Sequence, residues 1–264
     1  MVLYGPFTRS GEPARTESGP TGLEGSLAAD AIDPSGKARA TSLLLRGVSD
    51  GEQSTNTLYS ARPRTGLATS GRELRRGSGY AFGDFDGDGQ RDVAVGDSGS
   101  RNDEPGSDTE ASEVEGSLAV YPGGGGAPVS HRLPKVPEPS DGVESPDGPG
   151  GFTAADPDGD GRDGVLVATF EGATLIDGDR RTSVLREGPA TVNGRKTAAK
   201  WRHARPVGAT DFDGDGKDEI ILNWSADTLF GSTGEGPTHW WITDGTTSKD
   251  KTSVKTTTFA PRTS

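Results

Sequence analysis

Asp84-Phe85-Asp86-Gly87-Asp88-Gly89-Gln90-Arg91-Asp92 is written twice more in this chain with small changes. The other copies are Asp156-Pro157-Asp158-Gly159-Asp160-Gly161-Arg162-Asp163-Gly164 and Asp211-Phe212-Asp213-Gly214-Asp215-Gly216-Lys217-Asp218-Glu219. In each, acidic side chains stand on alternate residues, glycines between them allow the backbone to turn sharply, and an apolar run follows at once. Carboxylates crowded this closely repel one another unless a cation sits among them. The chain has no cysteine and none of the three loops contains a histidine, so the ligand set is hard oxygen and favours calcium over zinc or copper.

The leading aspartates stand at 84, 156 and 211, and a decayed fourth copy, Asp33-Pro34-Ser35-Gly36-Lys37-Ala38-Arg39-Ala40-Thr41, aligns upstream without gaps. Each copy is followed by a short apolar run, Leu43 to Leu45, Val93 to Val95, Val165 to Val167 and Ile220 to Leu222, of the length and composition of a buried strand. A second apolar or aromatic segment and a weaker alternating stretch come next, so each unit reads strand, acidic loop, strand, loop, strand, turn, strand. Tandem units of ~50 residues of this kind predict an all-β chain, a β-propeller of four-stranded antiparallel blades. The expected units are a partial one over 1–25, then 26–76, 77–135, 150–190 and 200–264, forming a single propeller domain or a fragment of one across 1–264. Four full units and a half are awkward for closure. The expectation is therefore a piece of a larger ring, or a ring that a partner chain completes.

Composition narrows the partners. Forty Asp+Glu against 28 Lys+Arg give a formal charge of -12, which disfavours nucleic acid and anionic membranes at long range. Only 29% of residues are hydrophobic, beside 41 glycines and 18 prolines, so order rests on the repeats rather than on bulk hydrophobicity. No apolar stretch approaches the ~18 residues that span a bilayer, and membrane insertion is not expected. The first residues, Met1 to Pro6, lack the basic and apolar regions of a signal peptide.

Ligand oxygens at loop positions 1, 3, 5 and 9 would come from Asp84, Asp86, Asp88 and Asp92, with the carbonyl of Gln90 at position 7. Asp211, Asp213, Asp215, Glu219 and the carbonyl of Lys217 form the matching set in the third loop. The second loop offers Asp156, Asp158, Asp160 and the carbonyl of Arg162. It is weaker because Gly164 holds position 9 and Asp163 falls one place early. The expectation is calcium at two strong sites and one weaker one. An EF-hand would require a bidentate Glu at position 12 and a following helix, whereas position 12 here is Val95, Val167 or Leu222 inside a strand.

DFDGDGQRD (84–92) and DFDGDGKDE (211–219), with the preceding Gly79-Tyr80-Ala81-Phe82-Gly83 and the following Val95-Gly96, resemble the FG-GAP repeat family, also called VCBS or integrin-alpha-like repeats. The resemblance implies a propeller, usually of seven blades, with structural calcium in its hairpin loops. It also implies a secreted or cell-surface protein used in adhesion or ligand binding.

Chemistry elsewhere in the chain is sparse. Gly96-Asp97-Ser98-Gly99 spells the nucleophile peptide of trypsin-like proteases, but it follows the second strand of a unit and lacks a histidine-bearing partner motif. His131, His203 and His239 are scattered, and the glycine run 123–126 is followed by no lysine or helix start. Trp201, Trp224, Trp240 and Trp241 all fall in the last quarter, with Arg195, Lys196, Lys200, Arg202 and Arg205 nearby. Trp201, Trp240 and Trp241 are the candidates for contact with a ligand, and strand alternation sends Trp240 and Trp241 to opposite faces. The sequence therefore predicts a non-enzymatic, calcium-stabilised extracellular module that binds a protein or a carbohydrate. The alternatives are an accessory domain of a secreted enzyme and a structural subunit of an assembly.

Overall fold

The computed structural model describes residues 2–17, 25–30, 42–47, 53–62, 66–97, 116–133, 152–169, 172–192, 194–225 and 237–256. Three stretches singled out in the sequence lie outside them: the decayed loop 33–41, the acidic insertion after Asp97 and the Pro/Gly-rich segment after Leu133. Among the described residues regular structure is strand, apart from one 3-10 turn at Ala199–Trp201. The chain divides into two compact units, Met1–Arg76 and Gly77–Ser264.

In the first unit, β1 (Val2–Phe7) and β2 (Pro13–Glu17) form an antiparallel hairpin. Next comes a four-stranded antiparallel sheet of β3 (Gly25–Ala29), β4 (Leu43–Gly47), β5 (Asn56–Tyr59) and, beyond a short ribbon of β6 (Ala61–Arg62) and β7 (Gly66–Leu67), β8 (Arg72–Leu74). Its order is β3-β4-β5-β8. Ala28, Leu44 and Leu58 are cross-strand partners, all buried, and they make one face of the sheet apolar.

The second unit contains three further four-stranded meanders. The second sheet is β9 (Gly79–Gly83), β10 (Asp92–Asp97), β11 (Ser117–Tyr121) and β12 (Val129–Arg132). The third is β13 (Phe152–Ala155), β14 (Gly164–Thr169), β15 (Gly172–Asp177) and β16 (Arg180–Val184). A small hairpin, β17 (Thr191–Val192) with β18 (Arg195–Lys196), leads to the fourth sheet, β19 (Arg205–Thr210), β20 (Glu219–Ser225), β21 (Thr238–Thr243) and β22 (Asp250–Thr256). The fold is thus all-β, and repeated four-stranded antiparallel sheets are its building block.

Strand periodicity decides how the sheets of this unit stack. Side chains of a strand alternate between faces, so a sheet apolar on both faces can be buried on both. In the third sheet Phe152, Val165, Val167 and Ile176 point one way and pack with Ala81, Ala94, Leu118 and Val120 of the second. Ala155, Leu166, Ala173, Leu175 and Val184 point the other way and pack with Ile220, Leu222, Trp224 and Trp241 of the fourth. The third sheet is therefore the filling between two others. Each acidic loop joins the first and second strands of its sheet, and β13 touches both β9 and β19, so the three loops fall at one edge of the stack.

Candidate metal loops and the contacts between them

Each loop is shaped by its first aspartate. Asp84 accepts the backbone N–H of Gly87 on Oδ1 and of Gly89 on Oδ2, both at 2.9 Å. Asp156 takes Gly159 (2.8 Å) and Gly161 (2.9 Å) in the same way, and Asp211 takes Gly214 (2.7 Å) and Gly216 (2.9 Å). Wrapping the backbone around one carboxylate forces these glycines to positive φ, between 74° and 85° in all three loops, where a β-carbon would be strained.

Three carboxylates then converge in every loop: Asp84, Asp86 and Asp92; Asp156, Asp158 and Asp160; Asp211, Asp213 and Glu219. Within each group one oxygen per residue lies within 4.8 Å of the others. A single cation can touch one oxygen from each member of such a trio at once. The donor set is all oxygen and two of its members, Asp92 and Glu219, are buried. These residues fit a hard divalent cation.

Not every expected ligand joins its cluster. Asp88 spends Oδ1 on the Gln90 N–H (2.7 Å) and Oδ2 on the Gln90 side-chain amide (3.1 Å), and Asp215 accepts the Lys217 N–H (2.9 Å); neither belongs to the converging trio. In the second loop, which has no acid at position 9, Asp160 takes the third place. The side chain of Arg162 leaves its own loop and donates to the carbonyl of Phe85 at 2.8 Å.

The acid at position 9 has a second task, and it explains why the second loop lacks one. Asp92 Oδ2 accepts the N–H of Phe85, and Glu219 Oε2 accepts the N–H of Phe212, each at 2.8 Å. Position 2 of the second loop is Pro157, which has no N–H, so Gly164 leaves no donor unsatisfied. Pro34 and Thr41 occupy the same two positions in the decayed copy. Burial pushes the Asp92 carboxyl above its ordinary range, although the N–H groups of Gly123 and Phe85 oppose the shift.

Position 8 reaches across to the neighbouring sheet. Asp163 Oδ2 accepts the N–H of Asp84 at 2.7 Å, and the N–H of Asp163 returns a bond to the Asp84 carbonyl at 2.8 Å. Asp218 repeats this on Asp156, with both bonds at 2.9 Å. Asp163 thus ties its loop to the loop before. Arg91, at position 8 of the first loop, turns its guanidinium to Asp163 (3.4 Å) and to the Phe82 carbonyl (3.1 Å). Burial raises the carboxyl pKa of both Asp163 and Asp218.

The third loop differs in charge. Lys251, at the start of β22, places Nζ 2.7 Å from Asp213 Oδ2, 3.4 Å from Asp244 Oδ1 and 3.6 Å from Glu219 Oε1. An ammonium thus lies against two members of the third trio. Its hydrogen bond holds the Asp213 carboxyl below the usual carboxylate range, and Asp213 in turn raises the ammonium pKa.

The remaining candidates have structural neighbours. Trp241 is buried against the third sheet, and Trp240, on the opposite face, is 37% exposed. Trp201 is half-buried in the 3-10 turn and accepts the indole N–H of Trp224 on its carbonyl at 2.9 Å. His239 stands edge-on between Trp224 and Trp241, with both ring centroids 5.6 Å away, and burial lowers its pKa as it does that of His131. His203 and Glu187 pair through an isolated antiparallel bridge of their backbones, and the Arg202 guanidinium pairs with the Glu187 carboxylate at 2.6 Å. Asp97 is buried in β10, and Ser98 lies outside the described residues.

No family model matches the chain, and no curated protein matches it. Among solved structures, the V. cholerae biofilm matrix protein Bap1 is similar at a TM-score of 0.35 and 12% identity. The match covers 88% of this chain and 39% of that one, so this chain spans well under half the length of that protein.

Proposed function

We propose that the chain is a calcium-stabilised, non-enzymatic binding module of the FG-GAP/VCBS repeat type, a β-propeller or a section of one, which recognises a protein or a carbohydrate outside the cell. The observation that carries this reading is the recurrence of one carboxylate trio at the same place in three successive four-stranded sheets. A catalytic centre breaks the symmetry of a repeat, because nucleophile, base and orienting group have to be brought to one point. Here the acidic groups repeat with the sheets, which is how a structural cation is used.

Asp84, Asp86 and Asp92 would hold one ion and Asp156, Asp158 and Asp160 another, each closing the hairpin between the first two strands of a sheet. In the third loop the ion would have to displace Lys251 from Asp213 and Glu219. Extracellular calcium modules bind with dissociation constants of about 10⁻⁴ to 10⁻³ M. At ten times that concentration, each site adds about 1.4 kcal/mol to stability. Recognition would then fall to surfaces that the calcium loops hold in place, where Trp240 is one of the exposed aromatics and adds contact area at small conformational cost.

The test is calorimetric unfolding with calcium and with chelator, followed by binding to a glycan array and to immobilised extracellular proteins under both conditions. The reading expects a higher melting temperature in calcium and partner binding that chelation weakens. An unchanged melt, or turnover of a substrate by the isolated chain, would overturn it.

A further inference from the structure

The three acidic loops touch one another, and the contacts fall on the residues that converge on the candidate cation positions. Position 1 contributes a carboxylate to every trio. Its backbone is gripped in both directions by position 8 of the next loop: Asp163 Oδ2 accepts the N–H of Asp84 while the Asp163 N–H bonds the Asp84 carbonyl, and Asp218 does the same to Asp156. Arg162, two residues after Asp160, adds to the first of these grips. It donates Nε to the Phe85 carbonyl at 2.8 Å, and its stem lies against Gly87 of the first loop. Neither Asp163 nor Asp218 belongs to a converging trio, so both are free of the ligand role and serve the junctions between loops.

These grips link the order of one loop to the order of the next. Asp163 stands three residues after Asp160, at the end of the turn that Asp156, Asp158 and Asp160 build. Three carboxylates without a counter-charge repel one another, and a cation among them holds the turn in one shape. Order imposed on one loop lowers the entropy cost of ordering the loop it grips, which is positive coupling without a change of fold. Repulsion between two bound charges opposes this, and the Asp163 carboxylate at the junction and solvent screening reduce it. The third loop is a different case. Lys251 already sets an ammonium 2.7 Å from Asp213 Oδ2 and 3.6 Å from Glu219 Oε1, so that turn is held by a tethered cation before any metal binds. Its grip on Asp156 is therefore present throughout, whereas the grip on Asp84 depends on the state of the second loop.

From these contacts we infer that the first and second loops are a coupled pair of calcium sites: an ion in the second raises the affinity of the first, and Asp163 is the positioning residue that transmits the effect. Coupling between two binding equilibria is reciprocal, so an ion in the first loop raises the affinity of the second by the same factor. The pair then fills over a narrower range of calcium than two independent sites would. The inference rests on the calcium reading above and adds to it how the sites answer one another.

The test is a calcium titration followed by the amide resonances of Gly89, Gly161 and Gly216, whose N–H groups bond the position-1 carboxylates and so report on each loop separately. Asp158→Ala disables the second loop and spares the junction, because Asp158 is exposed and pairs with Arg180 of its own sheet. The inference expects the midpoint of the Gly89 shift to move to about fivefold or more higher calcium in Asp158→Ala. With Asp163→Ala already in place, adding Asp158→Ala moves the Gly89 midpoint no further, and with Asp163→Asn, which keeps an acceptor at the junction, part of the effect returns. An unchanged Gly89 midpoint in Asp158→Ala overturns the coupling. An equal move with and without Asp163 also overturns it, since the effect would then travel by another route. If none of the three glycines responds to calcium, the calcium reading falls and the coupling with it, whereas responses that ignore Asp158→Ala remove the coupling alone.

Discussion

Replacing Asp163 with alanine tests how the second unit is held together, because that side chain belongs to one loop and serves another. The substitution leaves the backbone bond from Asp163 to the Asp84 carbonyl in place but removes the 2.7 Å acceptor of the Asp84 N–H and the partner of Arg91. A hydrogen bond to a charged group contributes about 1.5–3 kcal/mol, and the burial that raises the Asp163 pKa takes back part of it, leaving a net loss of roughly 1–2 kcal/mol. For a unit the size of Gly77–Ser264 each kcal/mol moves the melting temperature by about 2–4 °C, so calorimetry in chelator should show a fall of about 2–8 °C. Asp163→Asn keeps an acceptor and should lose less. The carboxyl of Asp163 titrates higher in the folded protein than in the unfolded one, so its contribution is present at low pH and is lost as pH rises through the folded value. Wild type should accordingly gain on Asp163→Asn as pH falls from 7 into the carboxylate range. A melt of Asp163→Ala within about 1 °C of wild type would refute the clasp as a source of stability.

Lys251→Met should strengthen calcium binding at the third loop, since the ammonium against Asp213 and Glu219 no longer competes; a titration identical to wild type would mean that Lys251 leaves the loop freely. Trp241→Ala should destabilise by about 3–5 kcal/mol because it empties a buried site in the core, whereas Trp240→Ala should change the melt by less than about 1 kcal/mol, both read by denaturant unfolding. Phe85→Ala should cost about 3–5 kcal/mol by opening the seam beneath Gly83, and the same change at the exposed Phe212 should be close to neutral in the isolated chain.

The spacing of the loops makes the four-stranded units readable, because a nine-residue acidic turn fixes where one strand ends and the next begins. The apolar runs after each loop are the second strands β4, β10, β14 and β20. Less legible was what the loop residues do for one another. Counting acids at alternate positions does not show that Asp88 and Asp215 lie outside the converging trios, nor that Asp163 and Asp218, at position 8, bond to the neighbouring sheet. One sequence signal was available: Pro157 at position 2 accompanies Gly164 at position 9, the pairing expected if the position-9 acid answers the position-2 N–H. The approach of Lys251 had no local signal, since it comes from β22, 38 residues after Asp213, and only the meander brings it back. Tryptophan counting pointed to the fourth sheet without separating core from surface, and alternation along β21 makes that separation.

The most direct test of the account is isothermal titration of calcium into chelator-stripped protein, repeated with Asp84→Asn, Asp156→Asn and Asp211→Asn. The account predicts at least two saturable sites at sub-millimolar to millimolar concentration, one lost with Asp84 and one with Asp156, and a third that is weaker than its carboxylates imply until Lys251 is removed. A protein that binds no calcium, and whose melting temperature is the same with and without it, would contradict the claim that these loops are cation clasps.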